Sequence, residues 1–324
     1  VNVLVTGGHG LIGTALVASL VGDGHRVVRL VRGPDPGARA PAASPSAPPT
    51  ASPSASPPAS VDVRWDPVQG TLDAGALERA APVDCVVHLA GAGIGDRRWN
   101  PARKAEILSS RTASTALLAT TIARLDPRPG VVVSGSAIGY YGDRGDEILT
   151  EQARRGTGFL ADVCEAWERA MAPATDAGIR TVLLRTGIVL AAGGGVLAKQ
   201  LPVLRLGVGG PLGSGRQYQS WISLTDEVGA IRYALDTPGI SGPLNATAPE
   251  PATNATLTAA LGRHLHRPTR LPVPAMALRL ALGAEMASEL VLASQRVVPE
   301  VLQDHGYTFV HRSLDAAITS VLGR

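Results

Sequence analysis

The chain has 324 residues, 45% of them hydrophobic and 18% charged, and its 30 Lys+Arg against 27 Asp+Glu leave a formal net charge of +3. That is ample apolar material for a buried core and too little charge for a disordered chain. An excess of +3 is also too thin to argue for nucleic acid or a membrane surface as partner. The length suits one large α/β domain with an appended lobe. The two cysteines, Cys85 and Cys164, sit in apolar segments without a disulfide framework, which fits a reducing compartment. No uncharged apolar run reaches membrane-spanning length, and strand-like residues begin at Val1, so a soluble cytoplasmic protein without a signal peptide is expected.

VNVLVT (residues 1–6) is a short β-branched run that ends in glycines, and residues 11–22 read as an apolar helix. HRVVRLV (25–31) suits a strand buried on both faces of a parallel sheet. Composition then changes abruptly: between Pro34 and Ser60, 9 Pro, 8 Ala and 6 Ser make up 23 of 27 residues, so a disordered or polyproline-like surface loop is expected. VDVRW (61–65) and DCVVHLAG (84–91) resume the sheet, and a helix is expected across 101–124. PGVVVSGSAIG (129–139) is a fifth strand, 159–177 is helical, and IRTVLLRTG (179–187) is a sixth strand. Strands that alternate with helices indicate an α/β protein built on a Rossmann-type, doubly wound parallel sheet, because parallel neighbours need crossover connections. From about residue 190 the pattern loosens into Gly-rich loops, a strand-like QSWISL (219–224), a helix near 225–236 and further helices to Arg324. The expected division is a dinucleotide-binding domain over 1–190 and a smaller C-terminal α+β lobe over 191–324, covering the carboxyl ends of the strands.

TGGHGLIG (6–13) places Gly7, Gly10 and Gly13 between a strand and a helix. The first glycine permits a tight turn, the second lets backbone approach a pyrophosphate and the third lets helix pack on strand. The amides at Leu11 and Ile12 open the helix at its positive end, where phosphates bind. An Asp or Glu at the end of the second strand would accept hydrogen bonds from a ribose 2′-hydroxyl. The chain has Arg32 there, with Arg29 nearby, and a guanidinium suits a 2′-phosphate, so NADP(H) is expected rather than NAD. Asp66 after the third strand and Leu89, Ala90 and Gly91 after the fourth are expected beside the adenine and ribose.

These residues resemble the extended short-chain dehydrogenase/reductase superfamily, and within it the atypical NAD(P)-dependent epimerase-like proteins of the YfcH type. The carrying segments include HLAGAGIGDRRW (88–99), SRTAST (110–115), SGSAIGYYG (134–142), FLADVCEAWE (159–168), GVGGPLGSGRQYQSWI (207–222) and SQRVVPEVLQDHGYTF (294–309). LPVPAMALRLALG together with that last segment looks like the group's C-terminal domain of unknown function. The resemblance implies a Ser, a Tyr and a Lys acting together on a substrate hydroxyl. Ser136 matches the serine. The Tyr-x-x-x-Lys pair is missing, since Asn100 and Gly195 stand four residues before the two lysines, Lys104 and Lys199. Phe159 occupies the tyrosine's neighbourhood. Tyr140 is therefore the candidate acid, with Tyr141 beside it and Arg144 or Arg98 as the cation that would lower a phenol's pKa; both tyrosines as mere pocket walls is the competing reading.

Arg98 and Arg216 are candidate contacts to an anionic small-molecule substrate, and Trp99 and Trp221 could stack on its ring. No histidine pair has metal-ligand spacing, so no metal is expected. A homodimer stays open. Two functions compete: an NADP-dependent oxidoreductase or epimerase acting on a small polar substrate, and a non-catalytic NADP(H)-binding or sensing protein.

Overall fold

A computed structural model describes residues 1–33, 60–80 and 82–323. The loop expected over 34–60 lies, apart from Ser60, outside the described residues. The chain opens with β1 (Asn2–Thr6), α1 (Leu11–Gly22) and β2 (Arg26–Arg32), and continues with β3 (Ser60–Asp66), a short β4 (Thr71–Leu72), α2 (Ala74–Ala80) and β5 (Cys85–His88). After these come α3 (Pro101–Ile122), β6 (Val131–Ala137), β7 (Ile148–Leu149), α4 (Phe159–Arg169), α5 (Ala172–Asp176) and β8 (Arg180–Thr186). The stretch expected to be helical over 159–177 is broken at Ala170–Met171, and Pro173 sits in the first turn of the second helix, where its missing N–H costs nothing. Asn100 starts α3 by accepting from Arg103 N.

The chain then runs through β9 (Ile188–Leu190), α6 (Gly195–Arg205), β10 (Tyr218–Gln219), β11 (Trp221–Ser223), α7 (Leu224–Asp236) and β12 (Gly242–Ala246). It closes with β13 (Ala252–Thr253), α8 (Asn254–Leu265), α9 (Ala275–Leu282), α10 (Ala284–Ala287), β14 (Arg296–Val297), α11 (Glu300–Asp304) and α12 (Leu314–Leu322).

The main sheet has the order β12-β8-β6-β5-β1-β2-β3-β4, parallel throughout except for β4 at one edge. Winding proceeds outward from β1 through β2 and β3, then reverses to β5, so the switch point falls between β1 and β5 at the carboxyl ends of the strands. Alternate side chains feed two cores. Val3 and Val5 join Leu16, Val87, Val133 and Leu184 on one face, while Leu4 joins Val28, Val86, Val132, Leu118 and Ile122 on the other. A third core gathers Leu190, Leu197, Leu201, Trp221, Leu257, Leu261 and Ile318 in the smaller C-terminal lobe.

A clean division at residue 190 does not describe this architecture. β12 pairs with β8 as the edge of the main sheet, α7 packs on α1, and Leu302 and Phe309 belong to the same core as β1. The chain leaves the Rossmann body, builds part of the lobe and returns. GPLNA, at 242–246, is short and starts with Gly-Pro, so it carries too little apolar pattern to announce a sheet strand.

Candidate active site

The glycine-rich turn is shaped by contacts that admit no side chain. Gly7 has φ +71°, and a Cβ there would lie 2.7 Å from the Leu89 carbonyl carbon and oxygen. A Cβ on Gly13 would lie 2.1 Å from Gly7 O. Gly10 N donates to Gly7 O at 2.9 Å, closing the turn. Helix α1 begins with no side-chain cap and no acidic residue in its first turn, so its leading amides are left for an anion.

Two cavities meet at this turn, and both are lined by Gly7, Gly10 and Leu89. The smaller, of about 390 Å³, has His9, Arg32, Trp65, Ala90 and Gly91 in its walls. The larger, of about 480 Å³, adds Leu11, Ile12 and Gly13, Ser136 at the end of β6, Thr186 at the end of β8, and residues of α4 and the C-terminal lobe. An uncapped helix start between two cavities fits a dinucleotide, its diphosphate at the turn and one half in each cavity. Arg32 is exposed at the rim of the smaller cavity. Asp66, expected beside the ribose, is not in either wall: its exposed carboxylate accepts from Val68 N and Gln69 N. Strand alternation explains this, because Trp65 faces in and Asp66 faces out.

Ser136 is in the wall of the larger cavity, and its hydroxyl donates to Glu168 Oε1 at 2.7 Å. That carboxylate takes a bidentate clasp from Arg185, at 2.9 Å from Nε and 3.0 Å from Nη2. Arg185 Nη1 donates to Tyr141 OH at 3.0 Å, and that hydroxyl donates to Asn245 Oδ1 at 2.7 Å. Ser136, Arg185 and Asn245 stand in one row across β6, β8 and β12, so their side chains share a face. Burial pushes the Tyr141 phenol up to about 12 against the pull of Arg185.

Tyr140, the expected acid, is absent from the walls of both cavities. Its ring lies 3.5 Å beneath the Arg185 guanidinium and edge-on to Tyr141. The residues Ile138–Tyr141 form a single tight helical turn, which carries both phenols away from the end of β6. The cation beside them is Arg185. Arg144 pairs with Glu147, and Arg98 reaches the carbonyls of Leu280 and Ala281.

Helix α4 presents Leu160, Val163, Cys164 and Trp167 to the larger cavity, so the face where a Tyr-x-x-x-Lys pair would stand is apolar. Phe159 turns away to pack edge-on against Trp99, with Lys104 above its ring. Glu289 is in the cavity wall, but both its oxygens cap α4 by accepting from Phe159 N and Leu160 N. Arg111 is different. Its Nη1 donates to Ala92 O and Ile107 O, its guanidinium lies 4.9 Å from the Trp167 ring centre, and it has no carboxylate partner among the described residues. Burial holds its pKa below the ordinary arginine value. SRTAST contains this residue, yet in sequence it registers only as helical spacing.

The other substrate candidates do not converge. Arg98 and Arg216 are exposed and outside both cavities. Trp99 Nε1 donates to Ile94 O, and Trp221, fully buried in the lobe core, donates to Glu250 O. From the 207–222 segment it is Leu212, Tyr218 and Gln219 that reach the larger cavity. Among the described residues no group of three or more His, Cys, Asp or Glu could hold a metal, and no helix is long and apolar enough to cross a membrane.

Comparison with known proteins agrees with this geometry. Residues 3–243 match the NAD dependent epimerase/dehydratase family, and residues 273–321 match a domain of unknown function (DUF1731). An epimerase family protein of Mycobacterium tuberculosis is 42% identical over 316 residues, 98% of this chain and 96% of that one. The epimerase family protein SDR39U1 of Bos taurus is 34% identical over 99% of both chains. The crystal structure of human epimerase family protein SDR39U1 with NADPH superposes with a TM-score of 0.84, at 31% identity over 100% of both chains. With glycine turn, sheet order and matched length in agreement, the chain belongs to the NAD-dependent epimerase/dehydratase family, with the C-terminal domain of its SDR39U1-like members.

Proposed function

We propose that the protein is an NADP(H)-dependent oxidoreductase of the epimerase-like kind, acting in the cytoplasm on a small polar substrate that carries an anionic group. The observation that carries the reading is the pair of cavities joined at the glycine turn, with Arg32 at one end and Ser136 and Arg111 in the other. The amides of Leu11 and Ile12 hold the diphosphate, Arg32 holds the 2′-phosphate, and Leu89, Ala90 and Gly91 flank the adenosine. The human relative solved with NADPH supports the same choice of nucleotide. When bound, the cofactor supplies or takes up a hydride.

Ser136 spends its O–H on the hydrogen bond to Glu168, so its oxygen offers lone pairs to the cavity and accepts a hydrogen bond from a ligand hydroxyl. Arg111 takes the substrate's anionic group, because a half-buried guanidinium without a carboxylate gains most from an incoming anion. Buried free thiols at Cys85 and Cys164 suit a reducing compartment.

Titration of NADPH and NADH into wild type and Arg32→Ala tests the cofactor assignment. The variant should lose about tenfold of its NADPH preference, the value of a partly exposed charge-assisted hydrogen bond. An unchanged ratio refutes it. The apolar face of α4 favours a second reading, a non-catalytic NADP(H)-binding sensor. Nucleotide sugars, quinones and short carbonyls offered with NADPH separate the two: consumption with any of them establishes the enzyme, and tight binding without consumption by the whole panel supports the sensor.

A further inference from the structure

Rows one residue apart on a strand face opposite ways, and the end of β8 uses both faces. Arg185 points to α4 and Glu168. The next row, Ala137, Thr186 and Ala246, points to the other face, where α7 packs. There Thr186 Oγ1 donates to Glu227 Oε1 at 2.7 Å, while Glu227 Oε2 has no hydrogen-bond partner among the described residues and the residue has 0% exposure. Thr186 itself is in the wall of the larger cavity, whereas Arg32 is in the wall of the smaller. A carboxyl thus sits one hydrogen bond behind the wall, with one oxygen unsatisfied.

Among the described residues no neighbouring charge compensates it. Helix α1, which packs against α7, carries no ionisable side chain, and neither do β6, β9 and β11. On β8, Arg180 is spent on the carbonyls of Ala234, Leu235 and Ile240, and Arg185 on Glu168. On α7 itself, Asp226 accepts from Val310 N and His311 N, and Arg232 pairs with Asp23. From the C-terminal stretch, Tyr307 OH donates to Asp226 O, and His311 Nδ1 meets Ser223 Oγ. Burial pushes the Glu227 carboxyl up to about 8, opposed only by the Thr186 hydrogen bond. The group is therefore a neutral acid near neutrality and ionises when something positive arrives.

We infer that Glu227, acting through Thr186, is the residue that distinguishes the oxidised from the reduced nicotinamide cofactor in this site. The inference rests on the cofactor reading above. A reduced nicotinamide ring is uncharged and leaves Glu227 protonated, whereas an oxidised ring is a cation and favours the carboxylate. Below the titration of Glu227, binding NADP+ therefore releases a proton that binding NADPH does not, and NADP+ gains relative affinity as pH rises until the carboxyl is ionised with either nucleotide.

Dissociation constants for NADPH and NADP+ are to be measured from about pH 6 to pH 10 on wild type and Glu227→Gln. The 2′-phosphate is common to both nucleotides and cancels in their ratio. In wild type, Kd(NADPH)/Kd(NADP+) should climb by up to about tenfold per pH unit as pH rises toward about 8 and level off above it, and in Glu227→Gln it should be flat throughout. A flat ratio in wild type, or a slope that persists in the variant, overturns the assignment. Calorimetry of wild type alone, in two buffers of different ionisation enthalpy, gives the same answer without a variant: NADP+ should release more proton than NADPH, and equal release overturns the inference. Absence of saturable binding by either nucleotide at any pH is a separate outcome, which overturns the cofactor reading itself.

Discussion

Gly13→Ala should disable the glycine-rich turn while leaving the sheet folded. The added Cβ would lie 2.1 Å from Gly7 O, 2.8 Å from Gly7 C and 2.9 Å from Gly8 Cα, all backbone atoms that cannot rotate aside. Restoring ordinary contact requires α1 and the turn to part by about 1 Å, a strain of about 1–3 kcal/mol by analogy with overpacked cores. The same displacement misaligns the amides at the start of α1, so NADPH affinity should fall by tenfold or more, since each 1.4 kcal/mol is a factor of ten. Gly22→Ala in the same helix is the control. Its Cβ meets nothing within 4 Å, and alanine there should raise stability by about 0.5–1 kcal/mol, or about 1 °C in Tm for a chain of this size. Fluorescence titration with NADPH and thermal unfolding measure both effects. An unchanged Kd in Gly13→Ala, with Tm equal to that of Gly22→Ala, would refute the reasoning that the turn is held by backbone contact.

His88 is buried neutral between Thr6 Oγ1 at 2.7 Å and Thr115 Oγ1 at 2.8 Å, and burial lowers its pKa to about 3. Its folded value lies below its unfolded value of about 6.5, so its contribution is complete above that pH and is lost as pH falls toward 3, at up to about 1.4 kcal/mol per unit. Urea midpoints between about pH 6.5 and pH 4.5 should therefore drop more steeply in wild type than in His88→Gln; parallel slopes would exclude His88 as the cause. Tyr140→Phe should leave NADPH affinity and any catalytic rate unchanged, because the ring stacks under Arg185 outside the cavity; a tenfold loss of rate would return that phenol to the chemistry. Arg111→Met keeps the packing on Trp167 and removes an uncompensated charge, so Tm should hold or rise. A dicarboxylate that stabilises wild type against heat should no longer do so, and equal protection of both proteins would place the anion site elsewhere.

The sheet was legible because its central strands β1, β5 and β6 are buried on both faces and read as apolar runs, and the glycine turn because three spaced glycines fell between a strand and a helix. β12 escaped for want of pattern. Gly7, Gly10, Gly13 and Arg32 come from one short chain segment, and the two cavities that meet at the turn are lined by them. Asp66 shows a signal that was present: VDVRWD alternates apolar and polar, and the face that buries Val63 and Trp65 turns Asp66 outward. The larger cavity draws on β6, β8, α3, α4 and the lobe, and no spacing in the chain reveals that Arg111, Thr186 and Gln219 share its wall. Exposed arginines such as Arg98 and Arg216 look the same in sequence as Arg111, whose distinction is its partly buried place in the wall of the larger cavity.

The hydrogen-bonded row from Ser136 through Glu168, Arg185 and Tyr141 ends on Asn245, which the chain supplies more than 100 residues after Ser136. A nascent polypeptide that has reached only residue 190 holds every glycine of the turn, yet Tyr141 OH lacks its acceptor and β8 is a bare sheet edge ready to pair with another molecule. Maturation of the pocket floor thus waits for the segment around residue 245 to leave the ribosome, and a fragment cut at the apparent domain boundary should aggregate rather than bind nucleotide.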